Sequence, residues 1–285
     1  MPAPASGDVR PATPATTTPV RGDGFDLASQ SRFELGRGST LSAADLDTLK
    51  RAGKTELAAV IANAQQSYAS LLAQGAKLVV TTSAGNGGKP VVAIVPPALA
   101  RNTDPAMPYQ VHVHYHGMGS TAASPSGESP LKARIAASFS QTPPTVFVLP
   151  HSATLDKATP QWGNVKNTGT TATDAVAGLT GTRTELTVSA HSLGRRALES
   201  AIRNGGLVAD RLDVQDAFYR TQPEGPRAVA LWMAQNPSAK VRVLITSSGM
   251  SDAATIRGQA SFPPGTIVVD SPMRGHFDAE LKPWL

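Results

Sequence analysis

Three stretches of this 285-residue chain bring together residue types with complementary chemistry. The first is Leu186-Thr187-Val188-Ser189-Ala190-His191-Ser192-Leu193-Gly194-Arg195-Arg196-Ala197-Leu198: a β-rich run, a small-x-Ser-x-Gly core, then a helical run. A sharp strand-to-helix turn crowds the positions two before and two after its apex. Small residues at Ala190 and Gly194 are therefore what the turn needs in order to project the hydroxyl of Ser192. The amides opening the next helix, that of Leu193 first, favour negative charge developing there. A plain small-residue turn reads the same from the pentapeptide alone; the flanking strand and helix favour a nucleophile.

The second stretch is Val111-His112-Val113-His114-Tyr115-His116-Gly117-Met118-Gly119-Ser120, a strand running into a glycine-bracketed turn upstream of the serine. Glycines let backbone amides turn inward, and the amide of Met118 fits the second donor of an oxyanion hole. Two other readings stand beside this one. His112, His114 and His116 alternate and share one strand face, as metal-binding histidines sometimes do, although no Asp or Glu accompanies them locally. They also read as core histidines with hydrogen-bond partners. The third stretch is Asp270-Ser271-Pro272-Met273-Arg274-Gly275-His276-Phe277, after the last predicted strand. His276 is the only histidine downstream of Ser192, and a loop there reaches back over the sheet edge. A neutral imidazole in that place serves as general base toward Ser192 and then as general acid toward the leaving group.

The elements that must hold these residues are short β runs alternating with helical stretches, the pattern of a mostly parallel sheet covered by helices. Eight strands are predicted, at Lys77–Thr82, Val91–Val95, Gln110–Tyr115, Thr145–Leu149, Leu186–Ala190, Leu212–Gln215, Val241–Thr246 and Thr266–Val269. The first two are joined by a turn too short for a crossover helix and are predicted antiparallel. Helices are predicted at Ser129–Ser138, Thr171–Leu179, Leu193–Asn204 and Pro226–Asn236. Upstream, residues 1–24 are rich in Pro, Ala, Thr and Gly and read as a disordered leader. Residues 25–76 read as a helical extension broken at Gly53 and capped by Gly75, and residues 77–285 as the catalytic domain.

With these motifs in these places, the stretch from Lys77 to Leu285 resembles the α/β-hydrolase superfamily: an antiparallel opening pair, the His116-Gly117 turn, Ala190-His191-Ser192-Leu193-Gly194 and a late His276. The elbow is similar to that of some bacterial lipases, in which Ala replaces the first Gly. Arg195 stands where many members carry a further Gly. The resemblance implies a Ser-His-acid triad acting through a covalent acyl-enzyme, with no cofactor, but not a substrate, because the fold also hosts non-hydrolytic members. Members place the acid after the seventh strand or after the sixth. Asp216 ends the predicted sixth strand and is favoured as the rigid support; Asp252, in the loop after the seventh, is the alternative and also reads as a helix cap. Asp213 reads as a solvated strand residue. His116, Gly117, His191 and Trp162 are expected to border the substrate. The alternative to an esterase-like enzyme acting on a small ester or amide is a silent scaffold of the same fold that binds a ligand or partner.

Composition narrows the partners. Lys and Arg number 26 against 21 Asp and Glu, a net charge of +5, but only 16% of residues are charged and the basic ones are scattered. That distribution argues against nucleic acid. Zero cysteines exclude disulfides, thiolate metal sites and a cysteine nucleophile. With no classical signal peptide and no apolar run of membrane-spanning length, a soluble, cytoplasmic protein is the default expectation.

Overall fold

The computed structural model describes residues 26–117, 130–152, 161–219, 222–246 and 252–270. In chain order the elements are β1 (Arg32–Leu35), α1 (Ala43–Arg51), α2 (Thr55–Ser67), α3 (Ala69–Ala73), β2 (Lys77–Ser83), β3 (Lys89–Val95), α4 (Pro97–Ala100), β4 (Pro108–Tyr115), α5 (Pro130–Ser138) and β5 (Thr145–Pro150). They continue with α6 (Thr168–Val176), β6 (Thr182–His191), α7 (Arg195–Arg203), β7 (Arg211–Gln215), α8 (Glu224–Gln235), β8 (Lys240–Thr246), α9 (Ala253–Gln259) and β9 (Ile267–Asp270). All eight predicted strands are present, as β2 to β9.

Among the described residues the sheet has nine strands in the order β1-β2-β3-β5-β4-β6-β7-β8-β9. The pairings β1 with β2, β2 with β3 and β3 with β5 are antiparallel; every pairing from β5 through β9 is parallel. The strand without a counterpart in the sequence reading is β1, which lies in the segment expected to be helical. Its alternation is only four residues long, with Phe33 and Leu35 turned into the core. Arg32 and Glu34 take the opposite face, where Arg32 Nη1 donates to the Asp174 carbonyl of α6 at 3.1 Å and Lys77 of the neighbouring strand pairs with Glu34 at 3.0 Å. Charge on an edge strand discourages further pairing. The helical part of that segment follows the prediction. Helices α1 and α2 are separated at Gly53, and α1 opens on a reciprocal capping box between Ser42 and Asp45.

Side-chain alternation gives the sheet two unlike faces. One carries Val111, Val113, Tyr115, Leu186, Val188, Ala190, Leu212, Val214 and Val243, and is sealed by apolar positions of α6, α7 and α8 such as Ala172, Leu198 and Trp232. The other is apolar only over its first half, where Leu78, Val80, Val92, Ile94 and Phe147 meet α1, α2, α3 and α5. Across β4, β6, β7 and β8 that second face is polar yet buried. His114 lies opposite Ser189, Ser189 opposite Asp213 and Asp213 opposite Arg242. Asp213, expected to be solvated, has no exposed surface. Arg242 makes this possible: its Nε and Nη2 donate to the two carboxylate oxygens at 2.8 and 2.6 Å, and Gln215 adds a third donor at 2.6 Å. A buried carboxylate is tolerable when its charge is met by such a fork.

Candidate active site

Strand β6 ends at His191, a single 3-10 turn covers Ser192–Gly194, and α7 starts at Arg195. Reversing from strand to helix in so few residues puts Ser192 at φ 54°, in the left-handed region. For a residue with a Cβ this is strained, by roughly 1–3 kcal/mol, and such strain concentrates at functional sites. The surroundings enforce it. A Cβ on Gly194 would sit 2.1 Å from the carbonyl oxygen of Tyr115, and one on Gly117 would sit 2.6 Å from Cβ of Ser192. The end of β4 and the turn after β6 are therefore interlocked at a spacing only glycine permits. The start of α7, with its partial positive charge, lies at the same turn.

Among the described residues only one other non-glycine position has positive φ: Asp216, at 43°. It follows β7, the strand next to β6, so the two strained residues stand at neighbouring C-terminal strand ends. The carboxylate of Asp216 is fully buried, accepts a hydrogen bond from the Thr246 hydroxyl at 2.8 Å, and its backbone N–H donates to Leu244 at 2.8 Å. Asp252 is differently engaged. It is the N-cap of α9, with Oδ2 accepting from the backbone N–H of Thr255 at 2.8 Å and from its hydroxyl.

The other predicted residues fall as follows. His116 and Gly117 lie just beyond β4, and the His116 Nδ1–H donates to the Gly117 carbonyl at 2.9 Å. Trp162 is buried, its ring edge-on to those of Tyr115 and His116 at 5.3 and 4.8 Å. His191 is buried at the end of β6, and Leu193 is the middle residue of the turn. Met118 and His276 lie outside the described residues. The alternating histidines divide between two settings. His112 Nε2 and His114 Nδ1 both meet the Ser189 hydroxyl, at 2.6 and 2.8 Å, on the polar face of the sheet, whereas His116 turns to its own loop. Burial, with Arg134, His114 and Arg242 nearby, holds His112 well below the usual imidazole range.

One residue in contact with the serine was missed by the sequence reading. The hydroxyls of Tyr219 and Ser192 are 2.6 Å apart. The Arg195 guanidinium lies over the Tyr219 ring, 5.4 Å from its centroid, and Arg195 also pairs with Glu199 one turn along α7. Burial raises the Tyr219 phenol pKa, while the Ser192 hydrogen bond and the Arg195 charge work against that rise. The only available sequence signal was that Tyr219 shares a loop with Asp216, three residues on.

Leaving aside β1, the sheet runs first, second, fourth, third, fifth to eighth, with the strained serine after the fifth of these strands. This is the α/β-hydrolase fold. No family model matches the chain, and no curated protein matches it in sequence. Solved structures do resemble it. A carboxylesterase from Bacillus subtilis is 12% identical with a TM-score of 0.42, over 76% of this chain and 90% of that one. An S-formylglutathione hydrolase from Agrobacterium tumefaciens is 11% identical with a TM-score of 0.43, over 72% and 91%. A serine hydrolase without a lid from Xanthomonas campestris is 12% identical with a TM-score of 0.39, over 68% and 82%. Those activities are the neighbours' own. Among the described residues of the hydrolase fold seen here, no helix is long and apolar enough to cross a membrane.

Proposed function

We propose that this chain is a serine hydrolase cleaving an ester or amide bond of a small molecule through a covalent acyl-enzyme. The observation that carries the reading is the left-handed backbone of Ser192 at the junction of β6 and α7, held by glycine-only contacts at Gly117 and Gly194. Strain of this kind persists only where its surroundings over-determine it, and here it serves to present a hydroxyl in front of helix amides. The strained, buried Asp216 one strand away supports its role as the acid that orients His276. His276 enters from chain order, as does the amide of Met118 beside that of Leu193 in the oxyanion hole.

In this mechanism the Ser192 Oγ attacks the substrate carbonyl carbon while its proton passes to the neutral imidazole of His276. The oxyanion forms against the two amides, and the leaving group departs with the proton returned by the imidazole. Water then repeats the sequence on the acyl-enzyme, giving the acid and restoring the Ser192 hydroxyl. Asp216 keeps the imidazole in the tautomer that faces the serine. His116, Gly117, His191 and Trp162 shape the wall against which the acyl group lies. No step draws on a cofactor.

A fluorophosphonate probe tests the proposal. Wild-type protein is expected to take up one equivalent at Ser192, with labelling fading as pH falls and the imidazole protonates. Ser192→Ala abolishes the adduct and His276→Ala slows it by orders of magnitude. An unlabelled wild type that also leaves a short activated ester intact is a silent scaffold, not an enzyme.

A further inference from the structure

Gly117 follows β4 and Tyr219 follows β7, while Ser192 follows β6 between them, so the serine is approached from opposite sides. The glycine side is where the oxyanion amides belong. The tyrosine side faces the serine oxygen itself, with the phenol 2.6 Å from Oγ. A phenol is the more acidic of the two hydroxyls and is the natural donor. Donation into an Oγ lone pair leaves the serine proton free for a base. The phenol is also held in place. Arg195 lies over the ring and is itself fixed by Glu199, and Arg195 is 4% exposed although most arginines face water.

Building on the serine-hydrolase reading, we propose that Tyr219 is a catalytic residue whose phenol donates to Ser192 Oγ when that oxygen leaves the acyl carbon, and that Arg195 is its positioning residue. In deacylation water adds to the acyl carbon and gives a proton to the base. The C–Oγ bond then breaks, its electron pair stays on Oγ, and Oγ takes the proton from the base. Tyr219 keeps its own proton throughout, and its hydrogen bond strengthens as negative charge builds on Oγ. In acylation Oγ loses charge to the carbonyl carbon, so the same bond helps less. Arg195, the departure from glycine noted in the elbow, thus acquires a task.

The test is pre-steady-state hydrolysis of p-nitrophenyl acetate by wild type, Tyr219→Phe, Arg195→Met and the double variant, with fluorophosphonate labelling of a separate sample of each to count the active serines. Removing one donor to a developing charge lowers deacylation about ten- to hundredfold. The expected signature of Tyr219→Phe is a p-nitrophenol burst near one equivalent, with kcat and KM falling together and kcat/KM falling much less. Arg195→Met shows the same pattern more weakly, and the double variant is no slower than Tyr219→Phe alone, because one residue acts through the other. A Tyr219→Phe enzyme with unchanged kcat, or one that labels and acylates faster because the phenol merely covered the serine, overturns the proposal while the hydrolase reading stands. A wild type that does not label overturns both.

Discussion

Replacing Asp216 by Asn separates charge from shape in this site. The left-handed φ of 43° is no obstacle, since Asn is among the few residues that adopt that region readily. The Thr246 hydroxyl, 2.8 Å from Oδ2, can donate equally to an amide oxygen. What the substitution removes is the negative charge, from a position with no exposure to water and therefore little screening. The comparable loss in a serine protease triad costs ~10⁴ in turnover, which is about 5.4 kcal/mol of transition-state stabilisation. Asp252→Asn provides the contrast. Asp252 caps α9 through Thr255, and Asn caps nearly as well, so both activity and stability should stay close to wild type. Asp252→Ala should lose about 1 kcal/mol, a fall in Tm of about 2–4 °C. The assay is steady-state hydrolysis of a short activated ester beside thermal unfolding of each variant. If Asp252→Asn loses the four orders of magnitude and Asp216→Asn stays within tenfold, the acid lies after β8 and the reasoning from strain and burial fails.

Two further outcomes follow from the same geometry. Gly194→Ala places a methyl group 2.1 Å from a backbone oxygen, so the turn must open; fluorophosphonate labelling should be lost even where circular dichroism shows a folded protein, and normal labelling would show that β4 and the elbow are not interlocked. Because His112 has a folded-state pKa below its unfolded value, the unfolded chain binds the extra proton. The neutral ring's contribution is then complete above about pH 6.5 and is lost as pH falls toward the folded value, at up to about 1.4 kcal/mol per pH unit. Urea unfolding between pH 7.5 and 4.5 should show a shallower acid decline for His112→Gln than for wild type, and parallel curves would refute it.

Most of the strands β2 to β9 were legible because they are runs rich in β-branched, apolar residues beside turn-forming Gly, Pro or Asp, and the long spacers between the later ones require crossovers. Strand β1 was not: four residues are too few for alternation to stand out, and its place depends on pairing with β2, some forty residues away. The turn at Ser192 was legible because small residues on either side of a serine are a steric requirement written into the chain. Tyr219 was not, since a residue in an irregular loop has no period from which its direction can be read. Asp213 was misread for a related reason. Its burial is decided by Arg242, its neighbour across the β7–β8 ladder, and nothing local marks the pair.

That ladder also bears on how the sheet finds its alignment. Buried parallel strands of Val, Leu and Ala are nearly interchangeable, and sliding one by a residue exchanges similar side chains between similar faces. The row His114, Ser189, Asp213 and Arg242 removes this degeneracy. A one-residue slip of β7 against β8 turns Asp213 into the aliphatic face and strands the Arg242 cation without its carboxylate, two buried charges separated at a cost of several kcal/mol. The same slip carries Asp216 away from its level beside the elbow. The row acts as a vernier between adjacent strands: its charges fix β7 against β8, and in the neighbouring register Ser189 faces Asp213 and His191 faces Gln215, which brings Ser192 and Asp216 level.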